Sequence, residues 1–170
     1  MSQPNDQTSY ILPPSVITKL DVSRIIDQAE AADNAKSSAE MRAKAGVKSE
    51  ASVLISEQLQ DFLTINQLEF GDSQQRSQLI ASLRRLKDNL AVIHMTFAAS
   101  ADQESLEKLA SWLRQSVHPR AVISVGLQPG LIGGVYVRTT NHVHDLSVRA
   151  QLAGRRDLLI KEIEALSASR

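Results

Sequence analysis

Apolar residues recur at helical spacing through the first half of the chain, and the rhythm changes near residue 90. Val22, Ile25, Ile26 and Ala29 form one stripe, with Asp21 as its expected N-cap. Beyond Ala32 the stripe fades into DNAKSSAEMRAKAG, which holds good helix formers but little to bury, so its outer turns are expected to be solvated or frayed. A second helix is expected between Ala51 and Leu68, from Leu54, Ile55, Gln58, Leu59, Phe62 and Leu63. A third, opened by Asp72 or Ser73, aligns Leu79, Ile80, Leu83, Leu86 and Leu90. Gly46 and Gly71 fall where helical patterns stop, the place helix C-caps favour. Pro13-Pro14 closes an extended leader over residues 1–20. Residues 21–90 therefore predict a helical bundle of about three helices.

From Ala91 the pattern reads differently. AVIHMTFAA is a compact apolar run with β-branched and aromatic members, which predicts a strand. Leu106, Leu109, Ala110 and Leu113 then recur at helical spacing, with Asp102 as N-cap and His118-Pro119 as the stop. AVISVGL (121–127) is a second strand, and the loop QPGLIGG leads to a third, VYVRTT. The alternation continues through Val143, so Thr139 to Asn141 predict the turn of a hairpin. Asp145 is the expected cap of a long last helix from Leu146 to about Leu166, with Leu152, Leu159, Ile163 and Leu166 on its buried side. Residues 91–170 thus predict a small α+β domain: a mixed sheet of three or four strands with two helices.

Composition narrows the function classes. Hydrophobic residues at 42% and charged residues at 22% fit a globular protein. Nineteen basic and nineteen acidic side chains cancel, which argues against a strong electrostatic grip on nucleic acid or acidic lipid. The absence of cysteine excludes disulfides, thiolate nucleophiles and cysteine-based zinc sites. No apolar run approaches the roughly 18 residues of a membrane-spanning helix. The polar start MSQPNDQTSYILPP is not a secretory signal, so a protein made and kept inside a cell is expected, with membrane association only through partners.

Candidate chemistry is sparse. His142 and His144 lie two apart, which on a strand places both on one face, yet no ligand set forms around them beyond Asp145. His94 is expected half-buried in its strand and His118 at a helix C-terminus. No G-x-S-x-G elbow, phosphate loop or dinucleotide fingerprint occurs. Neither a catalytic residue, a metal nor a cofactor is expected. Gly130-Leu131-Ile132-Gly133 matches the G-x-x-G loop of KH domains and supports an alternative reading, a small RNA-binding module using nearby basic residues. Against it, the middle residues are apolar, the loop leads into a strand, and aromatics for base stacking make up 4% of the chain. Between Val117 and Lys161 there are six basic residues (Arg120, Arg138, Arg149, Arg155, Arg156, Lys161) against two acids, Asp145 and Asp157. This local excess suits an acidic protein partner as well as it suits RNA.

The stretch LQPGLIGGVYVRTTNHVHDLSVRAQL resembles the C-terminal domain of the delta subunit of F-type ATP synthases, whose mitochondrial counterpart is the oligomycin-sensitivity-conferring protein. The matching positions are Pro129, Leu131-Ile132-Gly133-Gly134, the strand to Arg138, Asp145-Leu146-Ser147 and Leu152. The pairing of Gly-Gly with Asp-x-Ser about eleven residues later carries most of the specificity. Gln128 stands where the family commonly has an acid, and about three helices stand where its N-terminal bundle has six. The resemblance implies a non-catalytic stator component that joins the catalytic head, through its alpha subunits, to the b-type peripheral stalk and resists rotor torque. It implies no nucleic acid. It also implies indirect attachment, through the complex, to the cytoplasmic face of a bacterial membrane. Arg120, Arg149, Arg155 and Arg156 are then candidate partner-binding residues.

Overall fold

The computed structural model describes residues 10–46, 55–139 and 141–168. The fold is α+β, a helical region followed by a four-stranded mixed sheet with further helices. Helices α1 (Lys19–Lys44), α2 (Glu57–Ile65) and α3 (Ser73–Asp88) come first. Strand β1 (Ala91–Phe97), α4 (Gln103–Ser116) and β2 (Ala121–Leu127) follow. A single 3₁₀ turn at Pro129–Leu131 leads to β3 (Gly134–Arg138), β4 (Val143–Ser147), α5 (Val148–Gly154) and α6 (Arg156–Ala168).

Thr18, rather than Asp21, is the N-cap of α1. The Thr18 hydroxyl accepts the Asp21 N–H at 3.3 Å, and the Asp21 carboxylate accepts the Thr18 N–H at 2.8 Å. Two capping residues three apart make a reciprocal box, with the acid inside the first turn where the helix dipole favours it. Val22, Ile25, Ile26, Ala29 and Ala32 are the buried stripe.

α1 then runs unbroken to Lys44; its last turn is exposed, as expected, and the residues beyond Ala32 are all helical rather than frayed. Their polar side chains receive α3. Arg76 of α3 is fully buried. It donates to Asp33 at 2.5 Å, Glu40 at 3.2 Å, Ser37 at 3.3 Å and the Gly71 carbonyl at 2.7 Å. The bond to Asp33 is the main reason its charged form is favoured above the ordinary arginine value. Lys36 adds bonds to the Phe70 and Gly71 carbonyls at 2.7 and 3.0 Å.

Ser56 caps α2 by accepting the Leu59 N–H at 3.3 Å, and Leu59, Phe62 and Leu63 are buried. Helix α2 ends in a Schellman motif: Gln67 (φ +52) donates to the Thr64 carbonyl and Leu68 to the Leu63 carbonyl. Gly71, expected as a C-cap, is instead the residue before Asp72, which caps α3 through the Gln75 N–H at 2.8 Å. Gly46 does follow the α1 C-cap, with φ +79. Leu54 lies outside the described residues, and Ile55, Leu68 and Leu90 lie outside the helices.

The chain forms two compact units. One comprises the described residues up to Ala91 together with Glu107–Val122; the other comprises Val92–Leu106 and the described residues from Ile123 onward. The first unit owns most of the core. Leu12, Val16 and Ile17 of the leader join α1, α2 and α3 in it, as do Ala110 and Leu113 of α4. Arg114 fixes the leader there. Its guanidinium donates to the carbonyls of Pro13 at 2.8 Å and Ala121 at 3.1 Å, and also to that of Val16. Burial lowers its pKa.

In the sheet the strand order is β2-β1-β3-β4. β1 and β3 are antiparallel with His94 opposite Arg138 and Phe97 opposite Val135; β3 and β4 are antiparallel with Gly134 opposite Ser147. The hairpin turn closes between Thr139 and His142, whose carbonyl accepts the Thr139 N–H at 2.8 Å. His94 is exposed rather than half-buried, because strand alternation sets it on the face opposite buried Ile93 and Met95.

The long last helix is two helices. β4 continues through Ser147, and the helical path breaks at Arg155 just after Gly154, a weak helix former. The part of the chain from Ala91 on therefore carries three helices, α4 to α6, instead of two. Leu152 and Ile163, expected on a buried side, are 54% and 64% exposed. The side chains of Leu159 and Leu166 lie outside the described residues.

Candidate functional site

The Gly-Gly and Asp-x-Ser segments, eleven residues apart in sequence, meet in space. The Gly133 carbonyl accepts the Val148 N–H at 3.0 Å, and Gly134 pairs with Ser147 across the β3–β4 ladder. Gly134 has φ +88, and a Cβ there would stand 2.4 Å from the Leu146 carbonyl oxygen. Only glycine allows that conformation and that approach without displacing backbone. At Gly133 a Cβ would press on the Val148 side chain at 3.1 Å.

Asp145 is not the helix cap. It lies in β4, and its carboxylate accepts the Ser147 N–H at 2.9 Å. Ser147, 1% exposed, is the cap of α5 and accepts the Ala150 N–H at 3.2 Å. Hydrogen bonds from the Ser147 side chain and backbone hold the Asp145 carboxyl below the ordinary carboxylate value; the nearby positive charge of Arg149 adds to this and desolvation opposes it. The acid thus braces the cap two residues on, where the sequence suggested that it was the cap itself.

The loop between β2 and β3 is fixed along its length. Gln128 donates to the Phe97 carbonyl at 2.8 Å, Pro129 opens the 3₁₀ turn, and Leu131 donates to the Gln128 carbonyl at 3.1 Å. Ile132 has φ +57 and is 80% exposed. Leu131 is half-buried, while Arg138, Arg149, Arg155 and Arg156 are exposed in the second unit. Arg120 belongs to the first unit, half-buried, with its N–H donated to His118 Nδ1 at 3.0 Å.

α5 and the described side chains of α6 are all exposed or half-buried. Val148, Leu152, Leu158, Ile160 and Ile163 present apolar surface from these two helices, and Leu146 adds to it from β4. Exposed apolar side chains with arginines on the same helices are suited to contact with another protein. His142 and His144 are exposed with their rings stacked at 6.2 Å, and no group of three or more metal-ligating side chains forms among the described residues. A depression in the first unit is lined by Tyr10, Glu69, Gln75 and Leu79.

Sequence reasoning missed Arg76, Arg114 and the backbone of Ile132. Serine before a helical run was a readable signal for the Ser147 cap. Nothing local distinguishes Arg76 or Arg114 from an exposed helical arginine, because most of their partners lie 36 to 102 residues away. The family model described as ATP synthase delta (OSCP) subunit matches residues 27–159, most of the chain. Comparison with curated proteins finds no match.

Proposed function

The chain belongs to the ATP synthase delta (OSCP) subunit family, a family of non-catalytic peripheral-stalk subunits, and from that premise we propose that it is the adaptor joining the catalytic head to the b-type stalk. The observation that carries the division of labour is the contrast in burial. The first unit encloses a core, whereas α5 and α6 turn apolar side chains outward. In this reading the α+β part, residues 91–170, takes the stalk, and the helical part touches the alpha subunits of the head.

A stator joint must resist torque, which favours an extended helix-on-surface contact over a deep pocket. Stable joints of this kind bury about 1,200–2,000 Å². A stalk helix would lay its apolar stripe along Val148, Leu152 and the α6 residues, with Arg149, Arg155 and Arg156 beside it. Those arginines would steer an acidic partner and set its register more than raise its affinity. Among the described residues no helix is long and apolar enough to cross a membrane, so attachment to the cytoplasmic face of a bacterial membrane would run through the complex.

Co-purification of the tagged full chain, followed by mass spectrometry, tests this. Recovery of b-type and alpha subunits is the expected result. Recovery of RNA without them would replace the adaptor by the RNA-binding module.

A further inference from the structure

We propose that Ile132 is the specificity anchor of the stalk contact, a side chain held outward by a strained turn so that an acidic amphipathic helix closes over it. The proposal rests on the adaptor reading above and adds the residue on which partner choice turns.

Gly133 donates to the Leu131 carbonyl at 2.5 Å, closing a three-residue turn with Ile132 at its centre, φ +57 and ψ −31. This is a γ-turn of the rare positive-φ kind, and a β-branched residue is the least comfortable occupant of it. Glycine would sit there without strain, and the chain places glycine at positions 130, 133 and 134 around it. Ile132 also has no packing role that explains its presence, since it is 80% exposed. A strained backbone persists only where its surroundings over-determine it. Here they do: the loop is tied at Gln128 to Phe97 and at Gly133 to Val148, and Gly134 is wedged against Leu146 and Ser147.

Its neighbours define the occupant. Val148 packs beside Gly133 and Leu152 lies one turn further along α5, which extends the apolar contact from the loop onto the helix. Arg149 and Arg155 stand on the same helix and its cap, and Arg156 follows. An apolar knob beside a stripe with cationic neighbours is complementary to a helix that carries an apolar seam between acidic residues.

The test titrates the full chain with the soluble segment of the cognate b-type stalk subunit and records thermal melts in parallel. Ile132→Gly should bind at least tenfold more weakly while melting no lower than the unaltered chain, because strain is released as the anchor is lost. Ile132→Val, which keeps the branched knob, should bind nearly as the unaltered chain does. Unchanged affinity of Ile132→Gly, or a melt several degrees lower, would overturn the anchor while leaving the adaptor reading intact. Failure of the unaltered chain to bind would overturn the adaptor reading itself and the anchor with it.

Discussion

Gly134 and Ser147 face each other where the β2–β3 loop meets the start of α5, and single atoms decide the structure there. Gly134→Ala should destabilise by about 3 kcal/mol or more, since it adds strain at φ +88 to a Cβ only 2.4 Å from a carbonyl oxygen. Ser147→Ala removes the α5 cap and should cost roughly 0.5–2 kcal/mol. Denaturant titration of both variants measures these losses. Asp145 supplies a pH signature. Its carboxyl pKa is lower folded than unfolded, so its contribution is fully present above the unfolded value, near about 4, and is lost as pH falls through the folded value. The difference in melting temperature between the unaltered chain and Asp145→Asn should therefore shrink in acid below about pH 4. A difference that stays constant through that range would show that the Ser147 bonds do not favour the ionised form.

Elements bounded by strong local signals were legible in the sequence. β2 covers the expected residues, and α3 is capped by Asp72, the first of the two residues expected to open it, because apolar runs and capping side chains act within a few residues. Two kinds of feature were not. The second half of α1 looked unsupported because its support is polar and distant: Asp33, Ser37 and Glu40 wait for Arg76. The last helix looked buried because its apolar periodicity is real, and periodicity does not say whether the covering surface lies in the same chain. Arg76→Met should cost roughly 2–3 kcal/mol in denaturant titration. That is below the loss for a fully enclosed pair, since Asp33 and Glu40 are part-exposed and can rehydrate. By contrast, Leu152→Ser and Ile163→Ser should change stability by no more than about 0.5 kcal/mol. A loss of 2 kcal/mol or more at either position would mean that this surface is covered within the chain.

At the scale of the whole molecule, the two units differ in how self-sufficient they are. The first encloses Phe62, Leu59, Ile25 and Leu83 completely and clamps its own leader with Arg114. The second buries little beyond Ile93, Met95, Ile123 and Ser147 among its described side chains and leaves its terminal helices open. A second unit that leaves its helices open accords with membership of a peripheral-stalk subunit family. The most direct test is calorimetric titration of the full chain with the soluble segment of the b-type stalk subunit, at several temperatures and salt concentrations. The adaptor account predicts micromolar or tighter binding with a clearly negative heat-capacity change from apolar burial and a shallow salt dependence. No binding at micromolar protein, together with tight and steeply salt-dependent binding to RNA, would contradict it.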